Sequence, residues 1–230
     1  LLIDYLKMNR MAVNTEKYKE IKEELAAKQV SLIAVSKTKP NEDIQSLYNL
    51  GQRDFGENYV QELVDKHTVL PADIRWHFIG HLQSNKVKYI APFVQLIHGA
   101  DSLKLLREIN KQAAKCGRII DCLLQVHIAQ EETKFGMDET ELTEVKNSIG
   151  ELSNVRICGL MGMASFSDDL QKVRGEFQYL KTLFDRVGEW AMLNGQWTVL
   201  SMGMSGDYQM AIEEGSTMVR IGSLLFGARE

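Results

Sequence analysis

The chain has 230 residues with a formal net charge of −4, 44% hydrophobic and 25% charged residues, the make-up of a folded protein with a substantial core. No broad basic surface is available to nucleic acid or anionic lipid, and no run approaches the roughly 20 apolar residues of a membrane span. Three cysteines, Cys116, Cys122 and Cys158, form no CxxC pair; the last two sit in apolar runs and read as buried thiols of a reducing compartment.

Leu1 to Arg10 carries Asp4, Lys7 and Arg10 inside its apolar pattern, unlike a secretory signal, so a cytoplasmic monomer is expected. Thr15–Lys28 then spaces Tyr18, Ile21 and Leu25 at helical intervals between Lys and Glu residues, the pattern of a surface helix packed by one stripe. Beyond it the pattern changes to short apolar runs at Ser31–Ser36, Arg53–Gly56, Arg75–Gly80, Gln95–Gly99, Ile119–His127, Val155–Met163, Trp197–Ser201 and Thr217–Ile221. Most are near-continuously apolar, as strands buried on both faces must be. Amphipathic segments separate them. Ser102–Lys115 carries Leu103, Leu106 and Ile109 on one stripe and exits at Gly117; Leu170–Leu193 stops at Asn194-Gly195. Eight strands alternating with helices predict a (β/α)8 TIM barrel with an N-terminal helix. An open doubly wound sheet is the second architecture, disfavoured because no GxGxxG follows the first strand. Three prolines and no Gly/Ser-rich linker favour one domain over residues 1–230, with 1–14 an unassigned N-terminal segment.

Barrel chemistry sits at the C-terminal strand ends. Lys37 follows the first apolar run; it reads either as a solvated loop lysine or as an amine freed as a nucleophile by desolvation. At the exits of the seventh and eighth strands, Ser205-Gly206 opens a helix over Asp207–Glu214, and Gly222-Ser223 opens a short one over Leu224–Phe226. These are ordinary turns or a phosphate site made of backbone amides and hydroxyls. Arg220 interrupts Met218-Val219-Arg220-Ile221, and a guanidinium there needs a partner, structural or a ligand acceptor such as a pyridine nitrogen. Glu57 and Asn58 either cap the next helix or point into the mouth. His77 and His81 have an HxxxH spacing but lack the HExxH glutamate. Met161, Met163, Met202 and Met204 read as core or pocket lining.

Several linked motifs carry a resemblance from about residue 30 to Arg229. They are Ala34-Val35-Ser36-Lys37-Thr38, Phe55-Gly56-Glu57-Asn58-Tyr59, Trp76-His77-Phe78-Ile79-Gly80-His81-Leu82-Gln83-Ser84-Asn85-Lys86, Lys134-Phe135-Gly136, Gly159-Leu160-Met161-Gly162-Met163, Ser201-Met202-Gly203-Met204-Ser205 and Val219-Arg220-Ile221-Gly222. Together they closely resemble the YggS-like pyridoxal phosphate homeostasis proteins, relatives of the N-terminal barrel of alanine racemase. The resemblance implies a fold-type III barrel that binds pyridoxal 5′-phosphate (PLP) as a Schiff base on Lys37. It places the phosphate at Ser205, Gly222 and Ser223, Arg220 at the pyridine nitrogen, and Asn58 and His81 along the ring. Gly206 departs from the family pattern, where an acidic residue or alanine is commoner; backbone amides do the work there. The implied role is intracellular storage and delivery of PLP, with apo PLP-dependent enzymes as partners. The alternative is a PLP-dependent amino-acid racemase or decarboxylase. Only Ala228, Arg229 and Glu230 follow Gly227, so the second domain that closes such enzymes is not expected, and the ring would lack an opposing acid–base group.

Overall fold

The computed structural model describes residues 13–129, 135–191 and 197–227. Helix α1 (Thr15–Ala27) precedes strands β1 (Ser31–Val35), β2 (Asp54–Glu57), β3 (Arg75–Phe78), β4 (Leu96–Ala100), β5 (Ile120–Gln125), β6 (Val155–Met161), β7 (Val199–Ser201) and β8 (Met218–Ile221). Each strand is followed by a helix: α2 (Asn41–Asn49), α3 (Val60–Val69), α4 (Val87–Ile90), α5 (Leu103–Lys115), α6 (Glu139–Ser148), α7 (Leu170–Ala191), α8 (Tyr208–Glu213) and α9 (Ser223–Phe226) in turn. All neighbouring strands are parallel, and β8 pairs with β1 to close the barrel. The eight expected strands are all present. β5 and β6 stop two residues short of their apolar runs because the chain turns out of the ladder there to build the mouth. Lys134 and the Asn194-Gly195 helix stop lie outside the described residues.

Strand alternation divides the apolar residues between two cores. Ile33, Leu96, Leu123, Cys158, Met161 and Met218 fill the barrel, while Leu32, Ala34, Ile97, Cys122, Leu124, Ile157 and Val219 face the surrounding helices. Both cores remove a strand's two faces from water, which is why the runs read as continuously hydrophobic. Tyr18, Ile21 and Leu25 of α1 are buried as their spacing predicts. Asn14 caps that helix by accepting from the Lys17 N–H at 3.0 Å, and its own N–H donates to Leu225 O at 2.8 Å, tying α1 to α9. Cys122 and Cys158 are buried and unpaired with each other, and Cys116 is exposed. Among the described residues no helix is long and apolar enough to cross a membrane.

A bulge between β5 and β6 shifts the register from Cys122↔Ile157 to Leu123↔Gly159, admitting Cys158 as the extra residue. Gly159 takes φ 154°, and a Cβ placed on it would stand 1.7 Å from Val199 O. No side chain is compatible with that approach. Gly159→Ala is expected to cost more than about 3 kcal/mol, measured as a lower urea midpoint or as failure to recover folded protein.

Candidate functional site

At the end of β1 the chain makes a tight turn, with the Lys39 N–H donating to Ser36 O at 3.0 Å. Thr38 sits in the left-handed region at φ 63°, a conformation a β-branched residue adopts only when its surroundings impose it. The surroundings are a buried polar cluster. The Thr38 N–H donates to Glu62 Oε1 at 2.6 Å, and the Ser36 hydroxyl donates to Glu57 Oε1 at 2.6 Å. Lys66 Nζ, itself buried, donates to Ser36 O at 2.8 Å, Glu57 Oε1 at 2.8 Å and Glu62 Oε1 at 2.6 Å. Lys39 clamps the other side, with Nζ donating to Phe226 O at 2.8 Å. Burial pushes the Glu57 carboxyl up to about 7, although Lys66 and Ser36 draw it down. Its second oxygen, Oε2, is buried with no hydrogen-bond partner. Glu57 therefore neither caps α3 nor enters the mouth; it supports the Lys37 turn from below.

Held between these clamps, Lys37 is half-buried and lines a cavity of 430 Å³ at the mouth of the barrel. Asn58, Arg220, Ser205, Gly206, Gly222 and Ser223 line the same cavity. Met163 and Met204 also face it, whereas Met161 and Met202 are core. Ser205 lies just before α8, and Gly222 is the residue that opens α9. The two loops are joined where the Gly222 N–H donates to Ser205 Oγ at 3.2 Å. Asp207 steadies the first loop by accepting from the Met204 N–H at 2.5 Å. Two helix starts and two hydroxyls thus converge on one wall, an arrangement suited to an anion.

Arg220 is buried on β8. Nη1 donates to Ser201 O at 2.9 Å and to Ser201 Oγ at 2.7 Å, and Nη2 donates to Gly162 O at 3.1 Å. Burial lowers its pKa to about 10, with Asp207 opposing, so it stays cationic at neutral pH. Three of its N–H groups are bonded within the protein, leaving donors for a neighbour on the cavity side. Asn58 Oδ1 is buried on the opposite wall without a partner.

His81 is placed elsewhere. Its Nδ1 lies 2.9 Å from Asp101 Oδ2 and its ring stacks on Phe135 at 4.1 Å. It lines a second cavity of 530 Å³ with Tyr59, Lys86 and Tyr89 that touches the first only through Asn58. His77 points into the barrel instead, so the HxxxH pair does not converge. Among the described residues no cluster of three or more His, Cys, Asp or Glu side chains is arranged to hold a metal.

The chain matches the family model "Alanine racemase, N-terminal domain" over residues 10–230. It is 44% identical over 200 residues to the pyridoxal phosphate homeostasis protein of Aquifex aeolicus, covering 86% of this chain and 87% of that one. It is 38% identical over 218 residues to the human protein of the same name, covering 90% and 79%. Among solved structures it is similar to PipY of Synechococcus elongatus with PLP bound, at TM-score 0.84 and 35% identity over 92% of this chain and 99% of that one. Lys37, Arg220 and the paired serine loops gather on a single cavity, and the likeness runs across nearly the whole chain. The chain belongs to the pyridoxal phosphate homeostasis protein family.

Proposed function

We propose that the mouth cavity binds PLP and that the protein holds and delivers the cofactor without a dedicated turnover of its own. The observation that carries this reading is the convergence of Lys37, Arg220, Ser205, Gly222 and Ser223 on one 430 Å³ space, a volume in the usual range for a small-molecule site. The donor set fits the group. Two hydroxyls and the amides at two helix starts suit a phosphate, a buried cation suits a ring nitrogen, and Asn58 Oδ1 is a buried acceptor without a partner. When bound, PLP supplies an aldehyde that condenses with primary amines. Lys37 is the amine at the cavity, and the Glu57–Lys66–Glu62 cluster keeps its turn in one conformation. Arg220, a cation at the ring nitrogen, disfavours protonation there and so weakens the electron sink that amino-acid chemistry needs. The names of the relatives agree with a role in handling the cofactor. We assign the partners as PLP and apo forms of PLP-dependent enzymes, and His81 a place outside the cofactor shell.

The test is to load the protein with PLP, mix it with an apo PLP-dependent enzyme, and follow recovered activity with a scavenger present for free PLP. Recovery that survives the scavenger is expected. Recovery that tracks only the free pool would reduce the protein to a passive store. Robust turnover of an amino acid by the loaded protein would restore the racemase or decarboxylase alternative.

A further inference from the structure

Among the inward-facing residues of the barrel, one set is polar and continuous. Asp54 begins β2 at the N-terminal end of the barrel, with its side chain 24% exposed. Its Oδ1 lies 3.1 Å from His77 Nε2 on β3. His77 Nδ1 lies 3.0 Å from His98 Nε2 on β4. His98 Nδ1 lies 3.2 Å from Ser201 Oγ on β7, and Ser201 Oγ accepts from Arg220 Nη1 on β8 at 2.7 Å. β4 and β7 are not neighbours in the barrel, so the His98–Ser201 contact crosses the interior. His77, His98, Ser201 and Arg220 are all buried.

We propose that Asp54, His77, His98 and Ser201 form a one-directional hydrogen-bond relay through the barrel that positions Arg220 for a ligand's ring nitrogen. It rests on the PLP reading of the mouth cavity and adds the residues that act on Arg220 from behind.

The direction follows from donor and acceptor bookkeeping. Arg75 Nε and Nη2 hold the Asp54 carboxylate at 2.7 and 2.5 Å. Burial raises the Asp54 pKa, but Arg75 and His77 outweigh it and hold the group at about 2. An ionised carboxylate only accepts, so His77 carries its proton on Nε2. Burial, reinforced by His77 and Arg220, holds the His98 pKa well below its ordinary value, so that ring has one N–H to place. With His77 Nδ1 as acceptor, His98 donates from Nε2 and accepts at Nδ1. The Ser201 hydroxyl must then donate to His98, which leaves its lone pairs to Arg220. Every proton points from Arg220 toward Asp54. Ser201 Oγ is therefore a fixed acceptor, and Arg220 is held by three acceptors rather than two. A buried polar network of this kind, with every member satisfied, locks one geometry.

The relay is testable before any cofactor is added. In cofactor-free protein labelled with ¹⁵N at histidine, at pH 8, both rings are expected as neutral Nε2–H tautomers. A Nδ1–H tautomer at His98 would overturn the relay. In the PLP-loaded protein, Ser201→Ala and His98→Leu are each expected to shift the absorption maximum of the bound cofactor. Each is also expected to weaken PLP binding by about three- to ten-fold, the scale of one lost hydrogen bond. The double variant should go no further than the stronger single one, since either change cuts the same line. His98→Asn retains an acceptor near the Nδ1 position and should recover part of the spectrum. Wild-type spectra in both single variants, or additive effects in the double, would overturn the proposal. If the unsubstituted protein takes up no PLP, the reading of the cavity fails, and the tautomers still decide the relay.

Discussion

Lys37→Ala is expected to abolish covalent capture of PLP while leaving the barrel folded. Borohydride reduction of the loaded wild-type protein, followed by peptide mass mapping, should place a pyridoxyl group on Lys37, and the variant should carry none. The loss is specific because Lys37 contributes its amine to the cavity while neighbouring residues hold the turn. Ser36 O, Ser36 Oγ and the Thr38 N–H make the structural bonds. The Ala variant should still bind PLP reversibly, through Ser205, Ser223 and Arg220, and its melting temperature should stay within a few degrees of wild type. Labelling chiefly at Lys39 or Lys134 would remove Lys37 from the site. Lys39 is the sharper competitor because it lines the same cavity, but its ammonium already donates to Phe226 O.

The second large effect lies beneath that turn. Lys66→Met should cost roughly 3 kcal/mol, since breaking a buried ion pair strands its partner, and should lower Tm by roughly 6 to 12 °C for a chain of this size. It should also weaken PLP binding, because Ser36 O and Glu62 lose the cation that holds them on either side of Lys37. The carboxyl in that cluster gives the pH signature. Burial raises Glu57 from its ordinary 4.5 to about 7, so the folded protein keeps a proton that the unfolded chain releases. The stability tied to that proton is complete below pH 4.5 and is lost as pH rises through about 7. Wild-type Tm should therefore fall across that interval, and Glu57→Gln should remove that part of the slope. Identical pH profiles for the two proteins would show that Glu57 stays ionised.

The barrel was legible because its strands are buried on both faces. Runs such as Leu32-Ile33-Ala34-Val35 and Ile157-Cys158-Gly159-Leu160 serve two cores at once, and no helix of this size presents that pattern. Lys37 and the serine loops were legible for a related reason, since a polar residue directly after such a run must emerge at the strand end. The supporting residues were not. Lys66 lies on α3 with a helical spacing to Glu62 that reads as a surface ion pair, and only the fold reveals that it passes under β1 to reach Ser36. His98 sits in Leu96-Ile97-His98-Gly99, where a histidine in an apolar run gives no hint of its partner. That partner, Ser201, comes from a strand across the barrel. His81 misled for the opposite reason. Its motif runs through the strand and beyond it, but after Gly80 the chain has left the ladder and the side chain turns outward to Asp101.

Closure of β8 on β1 also governs when in the life of the molecule its mouth comes into being. Lys37 and Arg220 stand near opposite ends of the chain, and Leu32↔Val219 and Ile33↔Arg220 are the pairings that bring them together. Such distant contacts form slowly, because the entropy of closing the intervening loop must be overcome first. A polypeptide still emerging from the ribosome thus offers the lysine without its counter-wall, and any aldehyde met then finds only an ordinary amine. Competence to hold a reactive guest arrives in a single late event, with the last strand.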